Sequence, residues 1–98
     1  MRHLNIDIET YSSNDITDGV YKYSEAEDFA VLLFAYAYDF GAVEVVDLTK
    51  GDTIPDEVLS DLRDPNVIKH AYNAQFEITC LNRIGITTPL TQWQCTMI

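Results

Sequence analysis

Ninety-eight residues are one domain's worth of chain, or part of one, with room for a single hydrophobic core. Hydrophobic residues make up 47% and charged residues 22%, which excludes a disordered chain, and the longest uncharged apolar run, Phe29 to Tyr38, is about half the ~20 residues a membrane span needs. Six Lys and Arg against sixteen Asp and Glu give a net charge of −10, so phosphates could be gripped only if divalent cations or another protein segment supplied positive charge. The N-terminus, Met1 to Asp7, lacks the unbroken apolar stretch of a signal peptide, and Cys80 and Cys95 are too few for a disulfide framework. A soluble cytoplasmic protein is the expectation.

Leu4-Asn5-Ile6-Asp7-Ile8-Glu9 alternates strictly and predicts a strand with Leu4, Ile6 and Ile8 on one face. Residues 10–28 are polar, aromatic and rich in Asp and Ser, predicting a long loop with a short helical turn around Ser24 to Glu27. Residues 30–38 form an apolar strand, Asp39-Phe40-Gly41 a turn, and Val43 to Leu48 the return strand. Pro55 suits the first turn of a helix running to about Leu62, which Asp64-Pro65-Asn66 ends. Val67 to Ala71 reads as a short buried strand. A helix follows over about 73–84, with Asn73 as N-cap and Gly85 as C-cap. Three antiparallel strands, a helix, a strand parallel to a neighbour and a second helix make a mixed-sheet α/β fold.

Asp7 and Glu9 lie two apart in a strand, so both side chains leave one face, with Asn5 before them. Adjacent carboxylates repel unless something cationic sits between them. The pair is therefore either a solvated face or an oxygen-only site for a hard divalent cation. Glu77, one turn into the last helix, lies at the edge of the stripe formed by Phe76, Cys80, Leu81 and Ile84. It is either stabilised by the helix dipole or aimed into a cleft, where it could join Asp7. His70 is read as a structural histidine and Cys80 as a core thiol. Tyr21 and Tyr23 are read as packing over the sheet or stacking on bases.

Asp7-Ile8-Glu9-Thr10 on the first strand, followed by Asn73-Ala74-Gln75-Phe76-Glu77 at a helix start, resembles the first two motifs of the DEDD 3′–5′ exonucleases. In particular the chain resembles the proofreading exonuclease domain of phage-type family A DNA polymerases, on the ribonuclease-H-like fold. Tyr21 to Ser24, Phe34 to Tyr38, Val45 to Leu48 and Ile68 to Tyr72 share the likeness, which covers essentially all 98 residues. The resemblance implies hydrolysis of DNA phosphodiesters with two Mg²⁺ or Mn²⁺ ions, for which Asp7, Glu9 and Glu77 would be the catalytic and metal-holding carboxylates. It implies that Thr10, Tyr11 and Asn73 sit near the 3′-terminal nucleotide of single-stranded DNA.

Two departures accompany the likeness. The second motif of the family usually ends in Asp, where this chain has Glu77. The third motif is expected beyond Ile98, after the segment Trp93 to Met97. The expectation is thus a single partial exonuclease domain over residues 1–98, incomplete at its C-terminus and weak or inactive alone. Two alternatives stand beside it: a non-catalytic interaction module of the same fold, and an aspartate-nucleophile phosphatase using Asp7, for which Lys69 is poorly placed. With only two helices to cover strands read as buried on both faces, an apolar face is expected to drive homodimerisation unless the tail folds back with Trp93 as its plug.

Overall fold

A computed structural model describes residues 2–39, 41–89 and 92–95. Five strands form one mixed sheet in the order β3-β2-β1-β4-β5: β1 His3–Tyr11, β2 Ala30–Tyr38, β3 Glu44–Asp47, β4 Ile68–Ala71 and β5 Trp93–Cys95. β2 is antiparallel to both β1 and β3, whereas β4 is parallel to β1 and β5 is parallel to β4. Three helices accompany them: α1 Val20–Glu25, α2 Asp56–Arg63 and α3 Ala74–Arg83. The mixed α/β class and the order of its first four strands are as the sequence predicts. β5 is an addition, and the helical turn expected at Ser24 to Glu27 sits earlier, as α1.

One face of the sheet carries the core. Leu4, Ile6 and Ile8 point into it with Phe34 and Val46, against Val58 and Leu62 of α2 and Cys80 and Leu81 of α3. Asn5, Asp7 and Glu9 leave the opposite face and are exposed. The alternation of β1 therefore expresses itself directly as an apolar face and a carboxylate face.

The 30–38 run is not a strand buried on both sides. Ile8 pairs with Phe34 and Glu9 with Leu33, but Thr10 pairs with Val31, so the register shifts between Glu9 and Thr10. Leu32 is the extra residue of a bulge. On either side of it, Val31 and Phe34 both reach the helix-covered face, which a regular strand would forbid at that spacing.

The open face bears Asp7 and Glu9 beside Leu33 and Ala35. Two copies meeting there would oppose like charges, so the expected homodimer finds no support in the fold. Trp93, the expected plug, does not cover this face either. Trp93 pairs with Lys69, the register partner of Leu4, and so lies on the helix-covered side. Its indole N–H donates to Thr88 Oγ1 at 3.0 Å. Phe40 of the expected turn, and Thr96 and Met97 of the expected tail, lie outside the described residues.

Two polar features fasten β1. At its start, Arg2 lies over the Tyr38 ring at 4.2 Å and pairs with Glu57 and Asp61 of α2, while the Tyr38 hydroxyl donates to Asp61. On the open face, His3 Nδ1 and His70 Nε2 are 2.7 Å apart, joining β1 to β4. The ring planes are within 19° of parallel and the centroids 5.0 Å apart, which places the two nitrogens between the rings in an N–H···N bond. Such a bond needs one nitrogen as acceptor and is lost when both rings are protonated.

Burial, and next the neighbouring His3, hold the His70 pKa below its ordinary 6.5. The folded state thus binds fewer protons than the unfolded chain in this range. The stability that His70 contributes is present above about pH 6.5 and is lost as pH falls towards the lower folded-state value. Between about pH 7.5 and about pH 5.5 the urea midpoint of the wild type is expected to fall relative to that of His70→Gln, whatever the other groups contribute to both; parallel profiles would refute the coupling.

Candidate active site

β4 pairs with β1 over His3, Leu4 and Asn5, and the chain then leaves β4 at Ala71 and turns into α3. From Ile6 onward the β4-side edge of β1 is released, and the first turns of α3 sit over that notch. Asn73 caps the helix, its side-chain oxygen accepting from the Phe76 N–H at 3.4 Å, which sets where α3 begins. Glu77 follows one turn later. The result is a cavity of about 650 Å³ shared by Asp7 from β1 and Asn73, Phe76 and Glu77 from α3, with Tyr23 of α1 and Tyr72 on its walls.

Glu77 is only 4% exposed, and its Oε2 is buried with no hydrogen-bond partner among the described residues. A carboxylate in that position is costly unless protonated or met by a cation. Burial, with Asp7 as a smaller contributor, pushes the Glu77 pKa from 4.5 up to about 7. Burial also pushes the Cys80 thiol up to about 12, consistent with an inert core residue.

The sequence-predicted residues divide. Asp7, Glu77 and Asn73 share the cavity, whereas Glu9, Thr10 and Tyr11, further along β1, do not line it. Thr10 Oγ1 lies 2.9 Å from the Tyr23 hydroxyl, so its contact is with an aromatic wall of the cavity. Tyr11 is exposed. Tyr23 packs edge-on against Phe29 and obliquely against Phe76, but Tyr21 is 65% exposed and does not pack over the sheet. The cavity's other wall, Asn14 to Ile16, has no signature in the sequence beyond its polarity. Tyr72 could have been noticed, since it completes a run of aromatic and amide residues with Asn73 and Phe76.

The donor set is chemically suited to a hard divalent cation: oxygen ligands, one of them an orphaned buried carboxylate atom. Among the described residues, however, no cluster of three or more His, Cys, Asp and Glu is assembled for a metal. Asp7 and Glu77 are the oxygen donors in this cavity that would hold one cation, with water completing its shell. A second ion would need ligands beyond this pair.

The whole chain aligns with part of a DNA polymerase from Bacillus phage SP02, with 51% identity over 100 positions. In three dimensions 94% of it superposes on the crystal structure of the EXD2 exonuclease domain, with a TM-score of 0.59 and 21% identity. This chain is a relative of a phage DNA polymerase segment and has the fold of an exonuclease domain. The resemblance seen in the Asp7–Glu9 and Asn73–Glu77 motifs, and the ribonuclease-H-like sheet it implied, are thereby upheld. The chain spans 15% of the length of the phage polymerase and 43% of the EXD2 chain. No family model matches the sequence.

The raised pKa of Glu77 has a definite sign. Its folded form binds a proton more tightly than the unfolded chain does, so the contribution to stability is full below about pH 4.5 and is lost as pH rises through about 7. In EDTA at about pH 8, Glu77→Gln is expected to be more stable than the wild type by on the order of 2 kcal/mol, the two converging near pH 4–5. Urea titrations at the two pH values check this, and a variant less stable at pH 8 would refute it.

Proposed function

We propose that residues 1–98 form part of the 3′–5′ proofreading exonuclease domain of a phage-type DNA polymerase, acting on the 3′ end of single-stranded DNA in the cytoplasm of the host cell. The observation that carries this reading is the convergence of Asp7 and the orphaned, buried Glu77 on one aromatic-walled cavity. Asp7 and Glu77 would hold Mg²⁺ or Mn²⁺, with Glu9 on the same strand face positioned to reach a second ion. When bound, the ions supply an activated water and charge stabilisation for the departing 3′ oxygen.

The chain's own residues supply the rest. Tyr23, Phe76 and Tyr72 offer faces for the terminal base, and Thr10 anchors Tyr23 through its hydroxyl. Asn73 would meet the terminal nucleotide inside the cavity and also fixes the helix start that carries Glu77, while Thr10 and Tyr11, further along β1 and outside the cavity lining, would approach that nucleotide from the cavity rim. The strongly acidic character fits the same picture, since cations neutralise the cavity before a phosphate enters.

Because only two of the cavity's carboxylates, Asp7 and Glu77, are proposed to hold the cation, Mn²⁺ binding by the 98-residue chain is expected to be weak and to depend on Asp7. Calorimetry on the wild type and Asp7→Asn decides it: equal heats from the two proteins would overturn the site. Cleavage of a 3′-labelled oligonucleotide is expected to be slow and metal-dependent, because hydrolysis with a loosely fixed ion loses about 10²-fold or more. Cleavage undiminished in Asp7→Asn would overturn the assignment.

A further inference from the structure

A second cavity, about 670 Å³, lies on the other side of α3 from the carboxylates. It is a groove between α1, α3 and β5. Tyr21 and Trp93 contribute aromatic surface, Gln75 and Asn82 amides, and Arg83 a guanidinium. Its volume falls in the roughly 300–1,000 Å³ range of sites for small organic groups. We propose that this groove binds the nucleotides immediately upstream of the one held in the Asp7–Glu77 cavity, as an extension of the same single-stranded DNA site; the inference rests on the function proposed above.

Three observations carry it. The first is continuity. The two cavities flank the same opening turns of α3: Asn73, Phe76 and Glu77 face one, and Gln75 and Ile78 the other. α1 likewise gives Tyr23 to one and Tyr21 to the other, as two residues about 200° apart on a helix must. A strand leaving the first cavity over these helix ends arrives at the second.

The second observation is charge. In a chain with sixteen acids and six bases, no acidic residue among those described lines this groove, while Arg83 does. The carboxylate cavity, by contrast, holds Asp7, Asp15 and Glu77. A groove kept free of carboxylate in so acidic a chain suits a polyanion, and the divalent cations needed next door are not needed here.

The third observation is the aromatic surface. Tyr21 is 65% exposed on a helix whose other tyrosine is packed, and Trp93 has its indole edge fixed by Thr88 so that the ring forms a wall. Exposed aromatic faces beside a guanidinium and amides match the sequence-tolerant stacking by which single strands are held.

Trp93 is the only tryptophan, so its fluorescence reports on the groove alone. Phosphorothioate oligothymidylates, which resist hydrolysis, carry a 5′ dye whose anisotropy reports binding anywhere on the protein. With Mn²⁺ present, an octanucleotide is expected to raise the anisotropy and change Trp93 emission, and a dinucleotide to raise the anisotropy and leave Trp93 unchanged. Tyr21→Ala is expected to weaken octanucleotide binding roughly tenfold with no effect on the dinucleotide, and Tyr21→Phe to restore it. Arg83→Ala is expected to flatten the salt dependence of octanucleotide binding by about one phosphate contact.

Octanucleotide binding with Trp93 silent and both alanine variants as tight as wild type would overturn the groove and leave the proposed function standing. A Trp93 response to the dinucleotide equal to that of the octanucleotide would also overturn it. Failure of every oligonucleotide to raise the anisotropy would overturn the functional reading and the groove together.

Discussion

The short pairing of β4 with β1 is the constraint on which the rest of this molecule depends. Three residues of β1 are matched by β4, and then the parallel ladder stops. Had it continued, the backbone of β4 would occupy the position beside Asp7, and the chain would enter α3 too far along to bring Glu77 back to that carboxylate. Because it stops, the turn at Tyr72 and Asn73 falls beside the released edge, and the helix N-cap fixes the rotation of α3 so that Cys80 and Leu81 enter the core while Glu77 faces the notch. The position of one strand end and one cap thus brings two distant acids together.

That convergence works against stability, and the fold is arranged around the conflict. Most of the sixteen acids are exposed, where charge costs little. Asp61 is buried but receives the Tyr38 hydroxyl and the Arg2 guanidinium. Lys69 is fully buried, yet its ammonium donates to the Asp64 carbonyl and only its stem fills the core. Glu77 alone among the described carboxylates has a buried side-chain oxygen with no hydrogen-bond partner. Glu77 is therefore the one buried charge whose cost the described residues leave uncompensated, and its carboxyl meets that cost by holding its proton up to about pH 7.

Much of this was legible in the sequence because the signals are local. Alternation over residues 4–9 fixed the two faces of β1, the breakers at Asp64-Pro65-Asn66 ended α2, and Asn73 and Gly85 bracketed α3. The Asp7–Glu77 meeting was legible only as a possibility of topology, supported by motif resemblance. β5 was not legible, since three residues are too few to show a period and their pairing is entirely with distant β4. Nor could composition tell that Glu9, Thr10 and Tyr11 fall outside the cavity while Tyr23 lines it, because that depends on how α1 packs against α3. The apolar run 30–38 misled for a different reason: continuity suggests two buried faces, but here it records one buried face interrupted by an extra residue.

That extra residue makes the sheet behave as two rulers joined end to end. On one side of Leu32, β2 is in step with Asp7 and Glu9; on the other, it is in step with Thr10 and Tyr11. The junction separates the half of β1 that presents carboxylates from the half whose Thr10 steadies Tyr23. Removing Leu32 would do more than shorten a strand. It would join Val31 directly to Leu33, leaving Val31 inward and opposite Thr10 but removing the local bend between the two halves of the strand pair. What the extra residue supplies is thus a bend rather than a contact: the count of residues at the junction, more than the Leu32 side chain, sets the angle between the carboxylate half of the strand pair and the half that steadies Tyr23.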